Sequence, residues 1–147
     1  MKIAMACDHG AVELKNKLKA HLQEKGMEVV DFGTHTTDSC DYPDYIAPAA
    51  RAVASGECER GIVLCTTGIG VSIVANKIKG IRCALLSDTM TARLTREHND
   101  TNMMALGAGV TGPMLAQEIV DVWLATEFSH SERHQRRIDK VMALEKL

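Results

Sequence analysis

Short apolar runs alternate along the chain with stretches in which apolar residues recur every three or four positions, a pattern that predicts strands followed by amphipathic helices. Lys2 to Ala6 is the first apolar run, and Ala11 to Lys25 then carries Val12, Leu14, Leu18 and Leu22, with Gly26 as its stop. Met27 to Phe32 predicts a second strand ending at Gly33; the polar segment Thr34 to Tyr42 is a loop that Pro43 closes as the next helix begins, running to about Ser55-Gly56. Gly61 to Leu64 is the third strand, followed by a helix from about Val71 to Lys77. Arg82 to Leu86 predicts a fourth strand, Thr89 to Glu97 a helix, Met103 to Leu106 a fifth strand, Pro113 to Ala125 a helix, and Glu132 to about Glu145 a charged last helix. Strands alternating with helices imply right-handed βαβ units and a parallel sheet covered on both faces. The expected fold is α/β: a Rossmann-like three-layer αβα sandwich with a five-stranded parallel sheet and a C-terminal helix, in one domain over residues 1–147.

Composition narrows the partner. With 147 residues, 46% of them hydrophobic, the chain is long enough to bury a core without disulfides or metal. A net charge of -2 and no long basic run point away from nucleic acid and membrane surfaces and towards a small molecule. No apolar run reaches the roughly 20 residues of a membrane span, and no leader pattern precedes the first strand, so a cytoplasmic location is expected. The five cysteines include no Cys-x-x-Cys pair, and an odd count argues against a disulfide framework. No His, Cys or carboxylate grouping has metal-ligand spacing, so no metal is expected.

Chemistry concentrates where the third strand turns into a helix, in Cys65-Thr66-Thr67-Gly68-Ile69-Gly70-Val71-Ser72. Unpaired amides and the positive end of a helix dipole meet there and attract anions, and the same field favours a thiolate on a nearby cysteine. The pair Gly68-x-Gly70 by itself is as well explained by a tight turn as by a ligand. A dinucleotide site calls for a third glycine where Ile73 stands, and a nucleoside-triphosphate loop for Gly-Lys-Ser/Thr; neither is present. A cysteine phosphatase needs an arginine at the loop's end, occupied here by Val71. Cys65 alone reads equally as a core residue, but the hydroxyls of Thr66, Thr67 and Ser72 around it favour a functional thiol. Cys7, Cys40, Cys58 and Cys83 read as structural.

Ligands of such sheets bind beyond the carboxyl ends of the strands, where strand order reverses, which gathers Asp8 and His9 with Cys65 to Gly70. Asp8 also suits a helix cap, and His98-Asn99 a helix terminus; order along the chain leaves open whether the latter reach the same pocket or a neighbouring subunit's. His21, His35 and His130 read as solvated. In the basic cluster 133–137, Arg133 and Arg137 share a helical face and can converge on one phosphate, whereas Arg136 points about 100° away. Ile138, Val141, Met142 and Leu144 on the same helix suit packing on the parent domain or on a partner.

Nearly the whole chain resembles the type B ribose-5-phosphate isomerase family, which includes galactose-6-phosphate isomerase subunits. The resemblance rests on Cys7-Asp8-His9, Asp41-Tyr42-Pro43, Cys65 to Gly70 with Ser72-Ile73 and Ala75-Asn76-Lys77, His98-Asn99-Asp100-Thr101-Asn102, and Arg133-His134-Gln135 with Arg137. It implies an obligate dimer, or a dimer of dimers, with active sites shared across an interface, no cofactor, and an aldose or ketose phosphate as substrate. On this resemblance Cys65 is the base that moves a proton between C1 and C2, His98 the acid that helps open the ring, and Thr67 an aid at the sugar oxygens. Amides from Thr66 to Gly70, including Gly68 and Ile69, face the enediolate; Asp8, His9, Tyr42 and Asn99 hold hydroxyls; Arg133 and Arg137 take the phosphate. A branch of the family has glutamate at the position of Val71 and no cysteine at 65; this chain falls in the cysteine branch. It departs from many relatives in carrying Gly109 in place of a phosphate-binding arginine and Thr66 in place of a glycine. Ribose 5-phosphate to ribulose 5-phosphate is the expected reaction. A six-carbon sugar phosphate or free sugar is the alternative within the class, and a phosphosugar-binding module the alternative outside it. Such a module needs neither a thiol base nor an acid.

Overall fold

The computed structural model describes residues 1–147. Five strands, β1 (Lys2–Cys7), β2 (Glu28–Asp31), β3 (Arg60–Cys65), β4 (Cys83–Leu85) and β5 (Met103–Gly107), form one parallel sheet in the order β2-β1-β3-β5-β4. The helices are α1 (Val12–Glu24), α2 (Pro43–Ala54), α3 (Ile69–Asn76), α4 (Thr89–Asn99), α5 (Pro113–Ala125) and α6 (Glu132–Ala143), the last followed by a short 3₁₀ turn, Leu144–Lys146.

Alternation along the central strands builds two cores. Ile3, Met5, Cys7, Ile62, Leu64, Met104 and Leu106 face one way and pack beneath α1, α4 and α5, where Trp123 is wholly buried. Ala4, Ala6, Val63, Cys65, Met103 and Ala105 face the other way, against α2 and α3. Small side chains dominate that second face, which lets the alanine-rich α2 approach the sheet closely. At the sheet's outer edge the Asn76 carboxamide bonds both backbone groups of Cys83, donating to its carbonyl at 3.0 Å and accepting from its N–H at 2.8 Å.

Most elements match the expected ones, with instructive shifts. α3 starts two residues earlier than Val71, because Gly68 takes a left-handed conformation (φ 79°) that turns the chain into the helix at once. β4 keeps only three of its five expected residues, as edge strands often do. α4 extends to Asn99, and the left-handed residue that ends it is Asp100 (φ 45°). Asp8 does not cap α1, whose cap position is Ala11; its Oδ1 accepts instead from Gly10 N–H at 2.8 Å. His21 is not solvated: its Nε2 lies 2.7 Å from Asp121, tying α1 to α5, and Lys25 adds a second contact to that carboxylate at 2.9 Å.

Beneath α1, Lys15 is completely buried, with its ammonium 2.8 Å from Asp31 and 2.7 Å from the Thr34 carbonyl. This pair anchors the end of β2 to the start of the loop that carries Tyr42. Burial alone raises a carboxyl's pKa, but the Lys15 hydrogen bond, the Gly33 N–H and the Lys15 and Lys19 charges outweigh it and hold Asp31 below its usual 3.8. A depressed folded pKa stabilises the protein above the unfolded value and is lost as pH falls through the folded one. Lys15→Met is accordingly expected to cost about 3–5 kcal/mol in urea unfolding at pH 7, since it strands a buried carboxylate, and less at a low pH where that carboxyl is protonated, the lost bond to the Thr34 carbonyl remaining. An equal cost at both pH values would exclude the ion pair as its source.

Candidate active site

Strand order reverses between β1 and β3: the connection after β1 leads outward to β2, and the one after β2 crosses back over β1. The carboxyl ends of these two strands therefore open a crevice, and the chain places Asp8 and His9 on one side of it and Cys65 on the other. Cys65, 6% exposed, ends β3 in register with Gly107 of β5. The Gly68 N–H donates to its Sγ at 3.0 Å, and the Thr67 Oγ1 lies 3.9 Å away. Thr67 Oγ1 in turn accepts from the Ile69 N–H at 3.2 Å. Two of the amides expected to face a ligand are thus already aimed at the thiol and at the hydroxyl beside it.

Neighbouring loops wall this nest. Cys65 and Thr66 carbonyls accept from the N–H groups of Ala108 (2.8 Å) and Gly109 (2.9 Å), pinning the β5–α5 loop to it. A side chain at Gly107 would lie 2.6 Å from the Thr67 carbonyl carbon, so only glycine lets the two segments meet. Across the crevice, Gly10 packs against the Thr66 hydroxyl, and the Tyr42 ring covers Gly70, where an added Cβ would lie 2.9 Å from Tyr42 Cζ. His9 Nδ1 accepts from the Cys40 N–H at 3.3 Å, which leaves the proton on Nε2. Cys40, read from sequence as structural, thus touches a candidate site residue, its Sγ 3.7 Å from the same nitrogen. Desolvation pushes the Cys7 and Cys83 thiols up to about 12 and raises Cys58, which keeps these three protonated and inert.

His98 and Asn99 are elsewhere. α4 leaves the carboxyl edge of the sheet after β4 and runs back for 11 residues, about 16 Å, to the amino edge where β5 begins. There they line a cavity of about 760 Å³ with Arg82, Thr95, His134, Arg137 and the apolar Ile138 and Val141. The His98 and His134 rings are 4.5 Å apart, and Ser129 Oγ sits 2.6 Å from His134 Nδ1. Desolvation first, then the His98, Arg133 and Arg137 charges, lower the His134 pKa below its usual 6.5, so this neighbour of His98 stays neutral at pH 7. Arg137 reaches the cavity wall, while Arg133 is exposed one turn earlier and Arg136 faces away, beside a shallow outer depression.

The expected site residues therefore fall into two groups at opposite edges of the sheet: Asp8, His9, Tyr42 and Cys65 to Gly70 in one, His98, Asn99 and Arg137 with Arg133 beside them in the other. Sequence reasoning missed Gly10 and Gly107, whose lack of a side chain shapes the nest, and Thr95, His134 and Arg82, whose roles depend on tertiary contacts. No three His, Cys, Asp or Glu side chains converge as metal ligands.

Fold and site together define a Rossmann-like α/β protein with a thiol in a glycine-rich nest at the strand-order switch. Residues 3–141 match a family described as Ribose/Galactose Isomerase. The chain is 54% identical to the Bacillus subtilis putative sugar phosphate isomerase YwlF over 142 residues, 96% of this chain and 95% of that one. It is 47% identical to Escherichia coli ribose-5-phosphate isomerase B over 144 residues, covering 98% and 96% of the two chains. A solved structure of Clostridium thermocellum ribose-5-phosphate isomerase B superposes with a TM-score of 0.97 at 51% identity, covering 99% of this chain and 98% of that one. The chain belongs to the ribose/galactose isomerase family.

Proposed function

We propose that the protein interconverts ribose 5-phosphate and ribulose 5-phosphate, without a cofactor, in active sites that each combine the two groups of residues from two copies of the chain. The observation that carries this reading is the thiol of Cys65 beside the Gly68 amide at the strand-order switch, in a chain of this family.

In the mechanism, the C1–O4 bond of the furanose breaks as His98 of a second copy gives a proton to O4, while the anomeric hydroxyl loses its proton to solvent and becomes the C1 carbonyl; solvent returns a proton to His98. Asp8, His9 Nε2, Tyr42 and the second copy's Asn99 hold hydroxyls, and Arg133 and Arg137 take the phosphate through charge-assisted hydrogen bonds. The Cys65 thiolate removes the proton from C2 of the open aldose. The electron pair left on C2 forms the C1–C2 double bond and drives charge onto the carbonyl oxygen, giving the enediolate. Amides of the nest stabilise that charge, with Thr67 Oγ1 assisting as the proton passes between O2 and O1. Returning the proton from Cys65 to C1 completes the ketose, so the thiol ends as it began.

Pairing of two copies is supported by geometry. Met103 and Gly107 mark the two sheet edges, about 13 Å apart along β5, so His98 of the same chain does not reach the sugar above Cys65. Ile69, Ile73 and Leu85 stand exposed around the nest, and Val141 and Leu144 at the rim of the α6 cavity, two apolar patches that a two-fold dimer would cover. The five free thiols suit the cytoplasm, where they stay reduced.

Two experiments test this. In deuterated water, ribose 5-phosphate should gain deuterium at C2 faster than six-carbon aldose phosphates or free sugars; faster exchange into a six-carbon phosphate would reassign the substrate. Cys65→Ala and His98→Ala are expected to be inactive singly. A hybrid of the two, isolated through different tags on each chain, should recover about half the wild-type rate per dimer, because one of its two sites is then intact. An inactive hybrid would rule out shared sites.

A further inference from the structure

The hydrogen bonds around Asn99 have a direction. Thr95, one turn earlier on α4 and 8% exposed, donates its hydroxyl to Asn99 Oδ1 at 3.1 Å. A carboxamide has an acceptor end and a donor end. With Oδ1 engaged along the helix, the Nδ2 group is the end left for a ligand in the cavity that Thr95 and Asn99 both line. A helical threonine ordinarily bonds a carbonyl in the preceding turn, so a hydroxyl spent on the side chain of the following turn is a departure that serves Asn99.

The backbone of Asn99 is held as firmly. It is the last residue of α4, where carbonyls lose their helical partners. Arg82 supplies them, donating from Nε to the Asn99 carbonyl at 3.0 Å and from Nη2 to the Asp100 carbonyl at 2.7 Å. On the other side, the buried Arg96 donates to Asp100 Oδ1 at 2.8 Å and to the Thr101 carbonyl at 2.7 Å, fixing the left-handed turn that ends the helix. Asn99 is thus fixed at its main chain by one arginine and oriented at its amide by one hydroxyl.

We infer that Thr95 is a positioning residue for the isomerase reaction: its hydroxyl fixes Asn99 as a hydrogen-bond donor to a sugar hydroxyl oxygen. The inference rests on the proposed contact of Asn99 with substrate. Without the hydroxyl the amide rotates freely and presents its oxygen to the sugar for part of the time, weakening binding more than turnover.

The test is a double-mutant cycle on the full-length protein with ribose 5-phosphate. Thr95→Val keeps the shape of the side chain and removes its donor; it should raise KM about three- to tenfold, the worth of one hydrogen bond, and leave kcat within about twofold. Thr95→Ser should restore KM, because the donor returns. In an Asn99→Ala background, Thr95→Val should have no further effect on KM. A valine defect that persists in that background, or that serine fails to repair, would mean that Thr95 serves packing alone and would overturn the inference. If Asn99→Ala by itself leaves KM unchanged, it is the substrate contact of Asn99 that fails, a result read separately from the Thr95 variants and equally fatal to the inference.

Discussion

Cys65→Ala is expected to lower kcat for ribose 5-phosphate isomerisation by about 10²–10⁴-fold, the usual contribution of a positioned general base, with little change in KM. The size follows from the composition of the nest. From Cys65 to Ser72 no other side chain titrates, so nothing in that loop substitutes for the thiol. Asp8, across the crevice, has one carboxylate oxygen committed to the Gly10 N–H at 2.8 Å. Cys65→Ser should be nearly as slow as alanine, because a hydroxyl of similar size is a far poorer proton acceptor at neutral pH; that comparison separates proton transfer from shape. Deuterium exchange into the substrate should fall in step with turnover. Wild-type exchange in Cys65→Ala would move the base elsewhere, with Asp8 the next candidate.

Gly107→Ala is expected to cut kcat about 100-fold although residue 107 offers a ligand no side chain. The added methyl would lie 2.6 Å and 2.7 Å from the carbonyl carbon and oxygen of Thr67 and 3.0 Å from the Thr66 oxygen, all backbone atoms. Gly107 is fixed in turn by its register with Cys65, so the strain falls on the loop from Thr66 to Gly68. Moving that loop carries the Gly68 amide away from the sulfur, and misplacement by about 1 Å costs about two orders of magnitude in rate. Overpacking at a buried position should also lower the unfolding free energy by about 1–3 kcal/mol, read in urea. Gly112→Ala, with open space around it, is the control and should keep both activity and stability. A Gly107→Ala enzyme with full kcat would show that the nest tolerates displacement.

How far these features are legible in the sequence depends on whether their causes are local. β1, β3 and β5 are buried on both faces and read as continuous apolar runs, so their positions were recoverable; β4, an edge strand, gave a weaker signal and shrank to three residues. The first turn of α3 was hidden because Ile69-Gly70 carries no helical periodicity, and only the left-handed Gly68 shows where the helix starts. Cys65 and its loop stood out because strand, thiol, hydroxyls and glycines are adjacent in the chain. The pairing of His21 with Asp121 spans 100 positions and left no trace in periodicity. Gly107 resembled any glycine after a strand until the Thr67 backbone was brought against it. The most consequential gap concerned His98: a helix joining two parallel strands ends at the amino edge of the sheet, so that placement was within reach, but the cavity His98 lines there with Arg82, His134 and Arg137 joins segments far apart in the chain, which local pattern does not encode.

Asn76 has a bearing on how the molecule behaves in a crowded solution. A parallel sheet that ends in an open strand invites a foreign segment to lengthen it, and repetition of that event yields polymers. By meeting the Cys83 N–H and carbonyl with one carboxamide, Asn76 imitates the rung that an incoming strand would supply, so that a foreign segment has to displace the chain's own amide to pair there.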